Sequence, residues 1–270
     1  MSGSGARQFF RLVNIAFRQK SHGKWLPHPI DRQLGIETSK QFSKLNALSL
    51  FRPDRWDMYF SCLGYVGSQP SIIRTSINMI GDVDDFTFID VGCGLGRALA
   101  VATEFPFKSI IGVEYDTDIC TIARNNSEII ERLYPQRPVI KVVNGDATKI
   151  DLSEMDNLIF FLYNPFKGNL TNIFINAVCD QILARPELKI FIIYYNPAQV
   201  HLFDSCPQFQ RFFAEKLDFD PAEKATAPFS NSHDSVVVYQ SVNTVMRPAK
   251  PGADAKVRIT IPDYGAEVEC

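Results

Sequence analysis

Phe88-Ile89-Asp90-Val91-Gly92-Cys93-Gly94-Leu95-Gly96-Arg97 reads as a buried strand, a glycine-rich turn and the start of a helix over Ala98 to Glu104. Glycines at alternate positions let the backbone bend sharply and let a ligand lie against it without meeting a Cβ. The helix that follows points its N-terminal amides at whatever occupies the turn. Asp90, an acid at the strand end, is as informative as the glycines.

Two kinds of ligand use such a turn. A dinucleotide site wants G-x-G-x-x-G, which puts glycines at 92, 94 and 97 and pyrophosphate over the helix N-terminus. Here position 97 is Arg, the third glycine comes one residue early at Gly96, and Asp90 would repel a pyrophosphate. S-adenosylmethionine (SAM) carries a sulfonium and an α-ammonium and no phosphate, so an acid suits it. The pattern D-x-G-x-G-x-G from Asp90 to Gly96 resembles motif I of the class I SAM-dependent methyltransferases, position by position. The resemblance implies an α/β fold with a doubly wound, seven-stranded, mostly parallel sheet. It also implies that Asp90, Gly92, Cys93, Gly94 and Gly96 hold the cofactor.

The next strand ends continue the pattern. Ser109 to Glu114 is a second apolar strand, and Glu114 lies 22 residues after Gly92. An acid there reaches the ribose hydroxyls, because a carboxylate accepts from both at once. This supports nucleoside binding without choosing between NAD and SAM. Tyr115 beside it joins the same set, and Asp118 to Arg132 makes a helix. Val139 to Val143 is a third strand leading to Asn144-Gly145-Asp146-Ala147. This end resembles the methyltransferase loop that reads adenine, with Asp146 accepting from the exocyclic amine and the Ala147 amide donating to a ring nitrogen. A turn residue after Gly145 is the alternative for Asp146.

Asn157 to Tyr163 is a continuous apolar run, as expected of a central parallel strand buried on both faces. It ends in Tyr163-Asn164-Pro165-Phe166, where amino-methyltransferases carry (D/N)-P-P-(Y/F). In that motif the Asn or Asp side chain and a prolyl carbonyl accept from a planar amine while the aromatic stacks on it. The resemblance therefore implies Asn164 and Tyr163 at the reacting centre, with Pro165 and Phe166 on the acceptor, in a version lacking the second proline. The alternative is that Asn164-Pro165 merely turns the chain. Leu170 to Leu183 is helical, and Lys189 to Tyr195 is a fifth buried strand ending in Asn196-Pro197. Ligands sit outside the carboxyl ends of such strands, which makes Tyr194, Tyr195 and Asn196 acceptor-pocket candidates, Tyr195 among the catalytic ones. Phe213 to Phe219 and Ser235 to Gln240 read as a closing antiparallel pair, with His233 and Asp234 on their connection. His233 reads either as a general base or as a solvated loop residue.

The remainder sets bounds. The chain has 270 residues, 46% hydrophobic and 21% charged, ordinary for a globular protein. The boundaries drawn are an N-terminal extension over 1–66, a methyltransferase domain over 67–243 and a tail over 244–270. A net charge of −2 argues against bulk electrostatic binding of nucleic acid. Six scattered cysteines without C-x-x-C or Cys/His spacing suit free thiols in a reducing compartment, and no metal site. No apolar run approaches the roughly 18 residues of a membrane span, so a cytoplasmic location is expected. Arg7 to Lys20 reads as a basic amphipathic helix, either docking on a membrane or partner or packing on its own domain or in a homodimer. The aromatic-rich stretch to Tyr65 is a lid that shapes the acceptor site or a structural clasp.

The resemblance covers roughly Pro70 to Val242. It is nearest to bacterial single-domain methyltransferases with a Phe-Leu-Tyr-Asn-Pro-Phe strand end, and more distantly to the non-SET histone-lysine methyltransferases. The chain lacks the strongly basic region expected for nucleosome binding. It implies methyl transfer from SAM, with S-adenosylhomocysteine as product, to a small molecule at nitrogen. A lysine-type protein or peptide amine, or a hydroxyl, is the alternative acceptor. Sulfonium is a good leaving group, so such an enzyme mainly needs in-line positioning and a dry site.

Overall fold

The computed structural model describes residues 27–39, 67–166, 169–226 and 232–244 and, as backbone alone, 258–261 and 266–269. The helix expected over 7–20, with its dimer and membrane readings, and Tyr65 lie outside the described residues. The sheet is built around β4 (Leu158–Leu162), buried along its whole length, as a strand covered on both faces must be. It pairs parallel with β1 (Thr87–Val91) on one side and with β5 (Ile190–Tyr195) on the other. β2 (Ser109–Glu114) and β3 (Ile140–Asn144) extend the parallel sheet beyond β1. Antiparallel strands β7 (His233–Ser241) and β6 (Phe209–Asp218) close it beyond β5. The order β3-β2-β1-β4-β5-β7-β6 is the expected doubly wound, seven-stranded, mostly parallel α/β sheet. The order reverses between β1 and β4, and ligands bind in the crevice at the strand carboxyl ends beside such a switch point.

Alternate residues of each strand feed two cores. Phe88, Ile110, Ile159, Phe161, Phe191, Ile193 and Tyr195 join a core with α1 (Pro29–Leu34), α2 (Pro70–Ile80), α3 (Arg97–Ala102) and α4 (Thr117–Leu133). Ile89, Val91, Phe160, Leu162, Ile192 and Tyr194 join the other, with α5 (Asn169–Ala184) and α6 (Val200–Asp204). The helix termini use ordinary devices. Asp116 caps α4 by accepting from the amides of Asp118 and Ile119. α2 begins at Pro70, whose missing N–H costs nothing at a first turn. Its next amide, Ser71 N, donates to the Glu223 carboxylate at 2.9 Å, and the Ser71 hydroxyl donates to the same carboxylate. Glu223 stands on α7 (Pro221–Lys224), between β6 and β7.

Three expectations are corrected. The helix after the glycine turn starts at Arg97 and ends at Ala102, shorter than the span to Glu104. β6 begins at Phe209, four residues before the expected Phe213, because a register shift between Arg211 and Phe213 breaks the alternation. Phe212 and Phe213 consequently enter the same core. His233 and Asp234 lie inside β7 and not on a loop, paired with Asp218 and Leu217. The tail contains a two-stranded antiparallel pair, β8 (Arg258–Ile261) and β9 (Ala266–Glu269).

Candidate active site

The glycine turn folds on its own amides. Gly92, Gly94 and Gly96 have φ of 76°, 55° and 86°, left-handed values that disfavour a Cβ. Gly92 N and Cys93 N both donate to Val113 O, at 2.9 and 3.0 Å. Gly96 N donates to Cys93 O at 2.9 Å, and Gly94 N to Glu114 Oε2 at 3.0 Å. These four amides are engaged inside the protein and do not form a phosphate cradle. The Cys93 side chain is packing: it is buried, and a Cβ at Gly112 on β2 would come within 2.8 Å of its Sγ and 2.5 Å of Leu99 Cδ1. Burial, and then the neighbouring acids Asp90 and Glu114, push its thiol well up.

Asp90 ends β1 at the switch point with 4% of its surface exposed. Burial first, and the Glu114 charge second, push its carboxyl well above the ordinary carboxylate range. Ionising it in this place needs a cation alongside. Glu114, also buried, accepts from the amides of Gly94 and Asp116, at 3.0 and 2.9 Å, one on each oxygen. Each oxygen keeps a further lone pair for a hydroxyl. Tyr115 is exposed. Asp146 caps the short turn Ala147–Lys149, its Oδ1 accepting from Thr148 N at 3.0 Å and Thr148 Oγ1 at 2.7 Å. Burial opposes its ionisation, but these bonds and Lys149 hold its carboxyl below the usual range. Its other oxygen, Oδ2, lies 3.4 Å from Lys149 Nζ. Ala147 packs its methyl against the α5-side core.

Two of the expected acceptor residues turn inward. Asn164 and Asn196 are the non-glycine residues with positive φ among those described, at 47° and 44°, a conformation asparagine tolerates better than most residues. Asn164 Oδ1 accepts from Tyr194 Oη at 3.0 Å and from Ala198 N at 3.1 Å, while its Nδ2 donates to Asn196 O at 2.6 Å. Both lone pairs of the side-chain oxygen are engaged, so the structure turns Asn164 to joining two strand ends instead of accepting from a substrate amine. Asn196 answers with its Oδ1 accepting from Ser235 N at 3.2 Å. Phe166 is buried in the α5-side core, 5.8 Å from the Phe174 ring, and does not stack over the strand ends. Tyr194 is buried on that same side against Phe203. Pro165 lies beside the glycine turn, where its Cβ would be 3.1 Å from a Cβ at Gly92.

Tyr163 and Tyr195 take the opposite face. β1 residue Asp90 pairs with Phe161 of β4, and two residues further on the same face is Tyr163. Its ring meets Tyr195 edge-on with centroids 4.4 Å apart. The Tyr195 hydroxyl donates to the buried Asp234 carboxylate and accepts from Gln69 N at 3.4 Å. Burial, and then the Asp234 charge, raise both phenols, so each stays protonated at neutral pH. Asp234, to which the sequence assigns no role, is set among these rings by its place at the start of β7.

Sheet order, glycine turn and strand-end acids together define the class I SAM-dependent methyltransferase fold. No protein-family profile matches the chain. Over 186 residues, 63% of the chain, it is 26% identical to a histone-lysine N-methyltransferase specific for H3 lysine-79 from Dictyostelium discoideum, and it spans 8% of that protein's length. An RNA methyltransferase from Salinibacter ruber, solved with S-adenosylhomocysteine, is similar over 68% of this chain and 98% of that one, at 14% identity and TM-score 0.41. The Bacillus subtilis M1A22 tRNA methyltransferase TrmK is similar over 65% and 67%, at 15% identity and TM-score 0.45. No helix among the described residues is long and apolar enough to cross a membrane, and no group of metal-ligating side chains occurs among them.

Proposed function

We propose that this chain is a SAM-dependent methyltransferase acting on a small-molecule amine, with S-adenosylhomocysteine as product. The observation that carries the reading is Asp90: an acid buried at the switch point beside Glu114. It fits a cationic ligand, and the engaged amides of the glycine turn disfavour a dinucleotide phosphate. Asp90 would hold the ammonium end, Glu114 the ribose hydroxyls, and Asp146 with the Ala147 amide the adenine. When bound, SAM supplies a methyl group on an activated sulfonium. Tyr163 and Tyr195, kept protonated, wall the acceptor side and exclude water, the Tyr195 proton being held on Asp234. Neither is a base, so the amine must arrive deprotonated.

A second reading, a lysine side chain of a protein or peptide as acceptor, is favoured by the likeness to the H3 lysine-79 enzyme. Calorimetric titration of SAM, S-adenosylhomocysteine and NAD into wild type, Asp90→Ala and Glu114→Ala tests the cofactor. The expected result is adenosyl binding by the wild type, lost in both variants, with no NAD binding; a folded wild type that binds neither adenosyl compound overturns the reading. Labelled-methyl transfer to panels of small amines, peptides and RNA then separates the acceptors.

A further inference from the structure

Arg97 stands where a dinucleotide fingerprint would place its third glycine, and it is almost wholly buried. Its guanidinium donates from Nε to Thr38 Oγ1 at 2.8 Å, from Nη2 to Thr38 O at 2.8 Å and Ser39 Oγ at 3.0 Å, and from Nη1 to Ser68 O at 3.4 Å. The same two hydroxyls donate onward to buried Asp31: Ser39 Oγ at 2.6 Å, and Thr38 Oγ1 also. Two opposite charges thus face each other through hydroxyls that satisfy both, a form in which burying them is tolerable. A Cβ at Gly67 would run into the guanidinium, which its hydrogen bonds hold in place.

The segments so held are tied to the glycine turn on one side and to Tyr195 on the other. Asn126 Nδ2 donates to Glu37 O at 3.0 Å and to Leu95 O at 2.9 Å, and its Oδ1 accepts from Glu37 N at 3.0 Å, tying residue 37 to the glycine turn. On the other side His28 Nε2 meets Gln69 Oε1 at 3.0 Å, and Gln69 N reaches the Tyr195 hydroxyl. Burial, and then the Arg97 charge, pull the His28 ring down to about 4, so it is neutral at neutral pH with Nδ1 accepting from Ile30 N.

We propose that Arg97 is a positioning and specificity-determining residue of the cofactor site: it pins residues 36–39 and 67–69 as a wall over the glycine turn, retaining SAM and closing the place a dinucleotide's phosphates would need. The proposal rests on the SAM reading given above. A lysine cannot replace it, because a single ammonium lacks the fork that spans Thr38 and Ser68. The wall governs residence of the cofactor, and the acceptor chemistry stays with the tyrosine side.

The test is stopped-flow dissociation of SAM, with hydrogen exchange at the Glu37 and Thr38 amides, in the full chain carrying Arg97→Lys, Arg97→Ala or Thr38→Val. Arg74→Ala, at an exposed pair with Glu104, is the control. Arg97→Lys is expected to dissociate SAM about tenfold faster, with both amides exchanging faster and a melt that remains cooperative. Thr38→Val shifts the same readouts less and supplies the answer if Arg97→Ala does not fold. Faster exchange at both amides with an unchanged dissociation rate overturns the proposal alone. A wild type that binds no SAM overturns the cofactor reading and the proposal with it, while the exchange data still report whether Arg97 holds the segments.

Discussion

Asp90, the proposed partner of the SAM ammonium, is buried at a cost to stability. Its carboxyl is raised in the folded protein, so the folded state keeps a proton that the unfolded state has already released. Stability is therefore lost as pH rises from the unfolded value, about 4, towards the folded one. Asp90→Asn removes that penalty: ligand-free variant should melt above wild type at neutral pH, and the two should converge in acid. Binding of a cation reverses the shift and releases a proton. The calorimetric enthalpy of SAM binding to wild type should thus depend on the buffer's ionisation enthalpy when measured below the folded value. The same titration of Asp90→Asn should show weak binding without that dependence. Equal melting temperatures across the pH range would mean that the carboxyl already has a cationic partner.

At the scale of elements, α2 depends on a carboxylate from far along the chain. Glu223 takes both the amide and the hydroxyl of Ser71 and is itself buried. Glu223→Ala leaves an orphan first-turn donor and should cost about 1–2 kcal/mol, read in denaturant unfolding, with Ser71→Ala adding little on top of it. Such a contact, 152 residues apart in sequence, has no local signature. The strands that frame the cofactor do have one, since β1, β2, β4 and β5 are unbroken apolar runs ending in an acid or a turn. β6 hid behind its bulge. The acceptor side follows the alternation of β4 beyond its end: Phe166, in step with Phe160 and Leu162, falls on the α5 face, while Tyr163, in step with Phe161, faces Asp90. What no periodicity announces is that Asn164 is left-handed and spends its side chain on Asn196 O and Ala198 N, a strand away.

Across the whole molecule, residues 27–39 are part of the cofactor domain in every physical sense except chain position. They bring Asp31, Thr38 and Ser39 to a buried arginine and Glu37 to a buried asparagine. A chain starting at Gly67 would leave the Arg97 charge and the Asn126 amide without these partners, which costs about 3–5 kcal/mol for the charge alone. Its thermal melt should be much lower and less cooperative than that of the full chain, and SAM should rescue it incompletely. An unchanged melt would make the segment an appendage.

The paired turns at Asn164-Pro165 and Asn196-Pro197 bear on how the protein ages. Asparagine commonly deamidates when the following main-chain nitrogen, stripped of its hydrogen, attacks the side-chain carbonyl. Proline carries no hydrogen on that nitrogen to lose, and each side-chain amide is clamped by main chain, Asn164 by Asn196 O and Ala198 N and Asn196 by Ser235 N. Asn164, which joins β4 to the turn after β5, and Asn196, which joins that turn to β7, are therefore shielded from the slow chemical drift that converts amides to acids, and these strand ends should keep their charge over the lifetime of the molecule.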